Sequence, residues 1–132
     1  MDVSDIDHVN IRIPTGSVDE AVAFYRDGLG FEPENLDRYR DGERTIFSFR
    51  LNERCILHVR PVESFSPPDG KGFDHFAIVV EESIEEVRER LEEADIEIER
   101  DGNPLGATGR APAVYVRDPF DYLIEIKTAQ QS

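Results

Sequence analysis

From Ile6 to Ile13 apolar and polar residues alternate, with Val9, Ile11 and Ile13 on one side and His8, Asn10 and Arg12 on the other. A period of two describes a strand with one buried face. The period then lengthens. Ser17 and Glu20 stand at capping-box spacing, and Val18, Ala21, Val22 and Tyr25 recur at helical intervals until Gly28 and Gly30. A helix of about 12 residues is predicted. Three strands should follow, near Phe31–Tyr39, across Thr45–Leu51 and across Cys55–Arg60, with turns at Asp41-Gly42 and Asn52-Glu53. The order is β-α-β-β-β.

Ser64–Gly72, which contains Pro67-Pro68-Asp69-Gly70, interrupts the pattern as a linker. The pattern then starts again. Phe76, Ile78 and Val80 alternate within a strand expected over Phe73–Val80; Ser83 and Glu86 form a second capping-box signature; Ile84, Val87, Leu91 and Ala94 mark a helical stripe. Strands are expected at Ile96–Arg100, Ala113–Arg117 and Tyr122–Lys127, with a Gly/Pro-rich loop from Asp101 to Pro112. Asp7-His8 and Asp74-His75 lie 67 positions apart, as do Leu57-His58-Val59 and Ile124-Glu125-Ile126. An offset kept at both ends of a module predicts an internal repeat. The expected fold is therefore α+β, a single domain over 1–132 with module one at 5–61, a linker at 62–72 and module two at 73–128, related by a pseudo-twofold.

The repeat places four polar residues at equivalent points: His8 and His75 at the first strands, His58 and Glu125 on the last. Each last-strand residue is flanked by apolar neighbours, so alternation lets those pack inward while the polar side chain faces the other way. Three imidazoles and one carboxylate form an N/O donor set suited to one divalent transition metal, Fe, Mn, Ni, Co or Zn. Tyr115 and its counterpart Ser48, 67 positions earlier, share the predicted ligand face with Asn10. Arg12, Arg50, Arg60 and Arg117 are further candidates for that face, where an inward guanidinium would help hold an anionic substrate, although most suit solvent-facing rim positions. Cys55 alternates away from His58 and is expected to be a packed thiol; as the only cysteine it excludes an internal disulfide.

Charge narrows the function classes. The 132 residues carry 29 acids against 15 Lys+Arg, a formal charge of −14, and only Lys71 and Lys127 are lysines. Such a surface repels phosphate backbones and anionic headgroups, so neither nucleic acid nor a membrane is expected as partner. No signal peptide or spanning segment is recognised, which points to a cytoplasmic protein. The acid-rich, lysine-poor surface further suggests adaptation to concentrated salt, which would screen its self-repulsion. The acids of Glu81–Glu93 are expected to form the solvated face of the second helix.

Asp7-His8-Val9, Ala23-Phe24-Tyr25 leading into Gly28-Leu29-Gly30-Phe31, Asp74-His75-Phe76-Ala77-Ile78, and Tyr115-Val116-Arg117-Asp118-Pro119 before Ile124-Glu125-Ile126 resemble the vicinal oxygen chelate superfamily. That superfamily contains glyoxalases, extradiol dioxygenases and bleomycin-binding proteins. The resemblance implies U-shaped mixed sheets enclosing a metal that holds a substrate through two neighbouring oxygens. It implies His8, His75 and Glu125 as metal ligands, with His58 either a fourth ligand or a proton-transfer group where glyoxalases place a carboxylate. Tyr115 matches a tyrosine near the metal in some members, so His58, Tyr115 and Glu125 are the expected catalytic residues. Glyoxalase-like lyase or isomerase chemistry on a small molecule is the leading expectation. An Fe(II) ring-cleaving dioxygenase and a non-catalytic drug-binding protein are the alternatives. Several short members are homodimers whose sites draw ligands from both chains; the resemblance implies a homodimer here, and the sequence leaves open whether His8 and His58 join the His75 and Glu125 of their own chain or of the partner.

Overall fold

The computed structural model describes residues 1–129 as two compact units, one spanning Met1–Ser66 and the other starting at Pro67. The first unit contains β1 (His8–Pro14), α1 (Val18–Val22), β2 (Glu32–Glu34), α2 (Leu36–Arg40), β3 (Phe47–Asn52) and β4 (Cys55–Val62). Its sheet has the order β1-β4-β3-β2, with β1 parallel to β4 and the other pairs antiparallel. The second unit contains β5 (Phe76–Val80), α3 (Ile84–Glu93), β6 (Ile98–Gly102), β7 (Leu105–Gly106), β8 (Gly109–Arg110), β9 (Ala113–Arg117) and β10 (Leu123–Thr128). Its main sheet follows the order β5-β10-β9-β6, with the first pair parallel and the rest antiparallel. Each unit thus realises one β-α-β-β-β module, its last strand inside the sheet beside its first. Among the described residues no helix is long and apolar enough to cross a membrane.

Alternation along β4 and β10 separates packing from chemistry. In β1, Ile11 and Ile13 are buried while His8, Asn10 and Arg12 are exposed. Leu57 and Val59 are fully buried on β4 and pair with Phe49 and Phe47 of β3. Those two phenylalanines meet edge to face at 5.6 Å, and Tyr25 closes on Phe49 at 5.2 Å, giving the first unit an aromatic core. In the second unit Val87 and Leu91 of α3 are buried, as are Val114, Val116, Ile124 and Ile126 of the sheet. The turn from β9 to β10 is held by the buried Asp118, whose Oδ1 accepts the amides of Phe120 and Tyr122 at 2.9 Å each. This Asx arrangement sets the register that pairs Tyr115 with Glu125.

Several predicted elements change form. The expected uniform helix begins as a 3-10 turn at Thr15–Ser17, runs as α1, and continues as a π segment over Ala23–Gly28. The wider π turn lets adjacent Phe24 and Tyr25 both be buried. Ser17, inside the preceding turn with φ −115° and ψ 20°, is not extended as an N-cap must be, and its side chain makes no cap hydrogen bond. Ser83 is extended, and its capping box with Glu86 is complete. The strand expected over Phe31–Tyr39 is only Glu32–Glu34, because Asn35 turns left-handed at φ 62° and α2 follows, burying Leu36. The strand expected over Phe73–Val80 starts at Phe76, where the parallel ladder to Ile124 begins. Within the expected Asp101–Pro112 loop lies a short β7–β8 hairpin, pinned where Lys127 Nζ donates to the Gly109 carbonyl at 2.6 Å.

The contrast between the two serines yields a stability test. Ser83→Ala should cost about 1 kcal/mol in urea unfolding, whereas Ser17→Ala should change stability by no more than about 0.3 kcal/mol. Equal losses at both positions would contradict the capping assignment.

Candidate functional site

Each unit gathers its candidate residues around the last strand. In the first, His8 opens β1 and His58 sits in β4, with ring centroids 4.6 Å apart. His58 pairs in register with Asn10 on one side and Ser48 on the other. Ser48 Oγ and His58 Nδ1 share a hydrogen bond of 2.7 Å, and the serine is buried. His8 donates from Nδ1 to Asp7 Oδ2 at 2.8 Å. That bond holds the Asp7 carboxyl below its usual range. Burial, and then the charge of His8, push the His58 imidazole below the ordinary histidine value of 6.5. At neutral pH His58 is therefore a neutral base with Nδ1 engaged and Nε2 available.

The second unit repeats this arrangement with different chemistry. Glu125, at the centre of β10, is buried and pairs in register with Tyr115 of β9 and Ala77 of β5. His75 precedes β5, donates from Nδ1 to Asp74 at 2.5 Å, and presents Nε2 to Glu125 Oε1 at 3.1 Å. Its ring also meets Tyr115 edge to face at 5.7 Å. The phenol of Tyr115 hydrogen-bonds Glu125; burial, followed by that bond and the carboxylate charge, pushes its ionisation above the ordinary value of 10. Tyr115 therefore stays protonated at neutral pH and donates to Glu125. A buried carboxylate without partners would be costly, and these two donors supply the compensation.

The 67-residue repeat thus extends to hydrogen bonds: Asp7–His8 corresponds to Asp74–His75, and Ser48–His58 to Tyr115–Glu125. The roles of Asp7 and Asp74 were missed by sequence reasoning, although their repetition directly before the two histidines was visible. Of the arginine candidates, Arg50 forks onto Glu34 and Arg117 binds Glu99, so both guanidiniums are already engaged. Arg12 and Arg60 are register partners across β1 and β4, with Arg60 close enough to His58 for its charge to help depress that imidazole. Cys55 is half-buried, and burial raises its thiol, in keeping with a packed residue.

These donors suit a metal. All three histidines have Nδ1 tied to a second residue, the arrangement that orients metal-ligating imidazoles; among the described residues the Nε2 of His8 and His58 is left without a protein partner, while that of His75 meets Glu125. Two donors at right angles, each about 2.1 Å from an ion, lie about 3.0 Å apart, so the 3.1 Å separation of His75 Nε2 and Glu125 Oε1 suits adjacent coordination positions. Within neither unit, among the described residues, do three or more His, Cys, Asp or Glu side chains gather as a metal cage. Each unit offers a pair of donors.

Comparison with known proteins identifies the class. The model of the Glyoxalase/Bleomycin resistance protein/Dioxygenase superfamily matches residues 5–126, and the chain belongs to that superfamily. A glyoxalase family protein from Enterococcus faecalis is 28% identical with a TM-score of 0.69, the match covering 93% of this chain and 96% of that one. A Bacillus anthracis protein assigned to the glyoxalase family is 26% identical with a TM-score of 0.76, over 98% of both chains. Lactoylglutathione lyase from Agrobacterium tumefaciens shares the fold, at 22% identity and a TM-score of 0.66 over 96% of this chain and 95% of that one. No curated protein matches the chain in sequence.

The depressed His58 has a pH consequence. Between its folded value and 6.5 the unfolded chain binds more protons, so stability falls as pH drops through that window. Imidazole titration of the metal-free protein by NMR should place the His58 midpoint below 6.5. His58→Gln should flatten the acid side of the stability profile. A midpoint at or above 6.5 would contradict this environment.

Proposed function

We propose that this chain is a metal-dependent enzyme acting on a small molecule through two neighbouring oxygens, with glyoxalase-like lyase or isomerase chemistry. The observation that carries the reading is the shared orientation of the histidines: Asp7, Ser48 and Asp74 each hold an Nδ1, the Nε2 atoms of His8 and His58 are left as donors, and His75 Nε2 is set against Glu125 Oε1 at 3.1 Å, the two atoms an ion would draw on together. A single divalent transition metal would take His8 and His58 from one kind of donor pair and His75 and Glu125 from the other. Its contribution when bound is Lewis acidity, polarising a carbonyl and neutralising negative charge on the substrate oxygens.

The chain's own residues supply the remainder. Asp7 and Asp74 fix the tautomers of His8 and His75, so that neither imidazole must reorganise as charge develops on the substrate. Tyr115, protonated at neutral pH, orients Glu125 and offers its hydroxyl to a nearby oxygen. With its Nε2 off the metal, His58, neutral and backed by Ser48, can accept a proton there from a carbon next to the carbonyl and return it to the neighbouring carbon. His58 is thus the candidate proton shuttle, and this residue distinguishes the site from one that uses a carboxylate there.

Elemental analysis after purification in high salt should find stoichiometric divalent transition metal. His75→Ala and Glu125→Ala should each lose metal and activity together while circular dichroism is unchanged. Nickel, cobalt or zinc with turnover of a hemithioacetal supports the lyase reading; iron with oxygen uptake on adding a catechol supports ring-cleaving dioxygenation instead. Protein without metal that binds small molecules unchanged would reduce the chain to a binding protein.

We further propose a homodimer in which the two donor pairs of one centre come from different chains. Neither His8→Ala/His58→Ala nor His75→Ala/Glu125→Ala should bind metal tightly alone. Refolded together, they should regain up to one centre per mixed dimer, because only one of its two centres then combines intact pairs. No recovery would place all four ligands of a centre on one chain.

A further inference from the structure

Arg100 stands between two acids in the sequence, and neither serves it. Glu99 accepts Arg117 Nε at 2.8 Å, and Asp101 accepts Arg88 Nη2 at 2.6 Å. The Arg100 guanidinium instead lies over the Tyr115 ring, its central carbon 4.3 Å from the centroid. A β-bulge makes this possible. Along the β6–β9 ladder Ile98 opposes Val116 and Arg100 opposes Tyr115, so Glu99 is the extra residue. An unbulged ladder would set Glu99 opposite Tyr115, adding a third carboxylate beside Asp74 and Glu125. The bulge substitutes a cation and turns the acid toward Arg117.

A second cation lies on the same face. Lys127 is two residues beyond Glu125 on β10 and almost fully buried, with its ammonium on the Gly109 carbonyl. Among the described residues neither Arg100 nor Lys127 pairs with a carboxylate. This is unusual company for Glu125 in a chain of net charge −14 that has only two lysines. An anion approaching Asp74 and Glu125 is repelled unless a cation offsets them, and a guanidinium resting one face on a ring keeps its N–H edge free for a bidentate anion.

We infer that Arg100 selects a substrate bearing an anionic substituent, a carboxylate or a group of similar charge, set apart from its two neighbouring oxygens. The oxygens belong at the His75–Glu125 pair and the anion on the Arg100 guanidinium beside Tyr115. Lys127 adds a fixed positive field to that face without touching the ligand. This inference rests on the metal-centre reading above and specifies the substrate class it accepts.

The test is binding without turnover. Zinc-saturated wild type, Arg100→Gln and Arg100→Lys, each checked for zinc content and circular dichroism, are titrated calorimetrically with catechol and with 3,4-dihydroxybenzoate. Both probes offer neighbouring oxygens, and only the second carries a separate carboxylate. Arg100→Gln should weaken dihydroxybenzoate about tenfold and leave catechol within about twofold, and Arg100→Lys should keep part of the preference. Equal changes for both probes would show that Arg100 only packs Tyr115, and no change would show that it does not meet the ligand; either result overturns the inference and leaves the metal centre standing. If the protein retains zinc but binds neither probe, or retains no zinc, the metal-centre reading fails and the inference with it.

Discussion

A residue in the middle of an interior strand can turn one face toward a core and leave the other for chemistry, and both units depend on this constraint. On β4, Leu57 and Val59 are sealed against Phe47 and Phe49, which leaves His58 facing the opposite way. On β10, Ile124 and Ile126 do the same for Glu125. Because the neighbouring strands are locked in register, the partner of each polar residue is fixed too: Ser48 for His58 and Tyr115 for Glu125. Slipping either strand by one residue would set His58 or Glu125 among the core side chains and turn their apolar neighbours to the other face, so the energy of packing and the geometry of the site select the same register.

The repeat keeps geometry and changes chemistry. A serine hydroxyl against an imidazole in one unit becomes a phenol against a carboxylate in the other. The first gives a neutral base held low in its titration range; the second gives a buried anion supported by two donors. Two different pairs on one scaffold allow one side of a metal centre to hold charge while the other moves a proton. The cations near Glu125 follow from the same contrast, since a buried carboxylate with Asp74 nearby repels the anions that an imidazole pair would tolerate.

Much of this was legible in the sequence because its physical causes are local or periodic. Alternation marked the strands bearing His8, His58, Tyr115 and Glu125, and the offset of 67 aligned the two modules. Where neighbouring context decided, the reading changed. Ser17 has the letters of a capping box but lies within a 3-10 turn, while Ser83 has the extended backbone that the box needs. Asn35 ended a predicted strand by adopting a left-handed conformation, which composition alone does not announce.

The sequence by itself determined the two β-α-β-β-β modules, the family and the four candidate ligands, because side-chain period and repeat spacing are properties of the chain. Only the tertiary structure decided which atoms are free. It showed each Nδ1 engaged, the Nε2 of His8 and His58 available and that of His75 set against Glu125, and it showed Glu99 and Asp101 drawn to other arginines. It also revealed the bulge that sets Arg100 over Tyr115. Hydrogen bonds and ion pairs are settled by competition among groups far apart in sequence, and a single inserted residue in a ladder reverses which side chain meets the site.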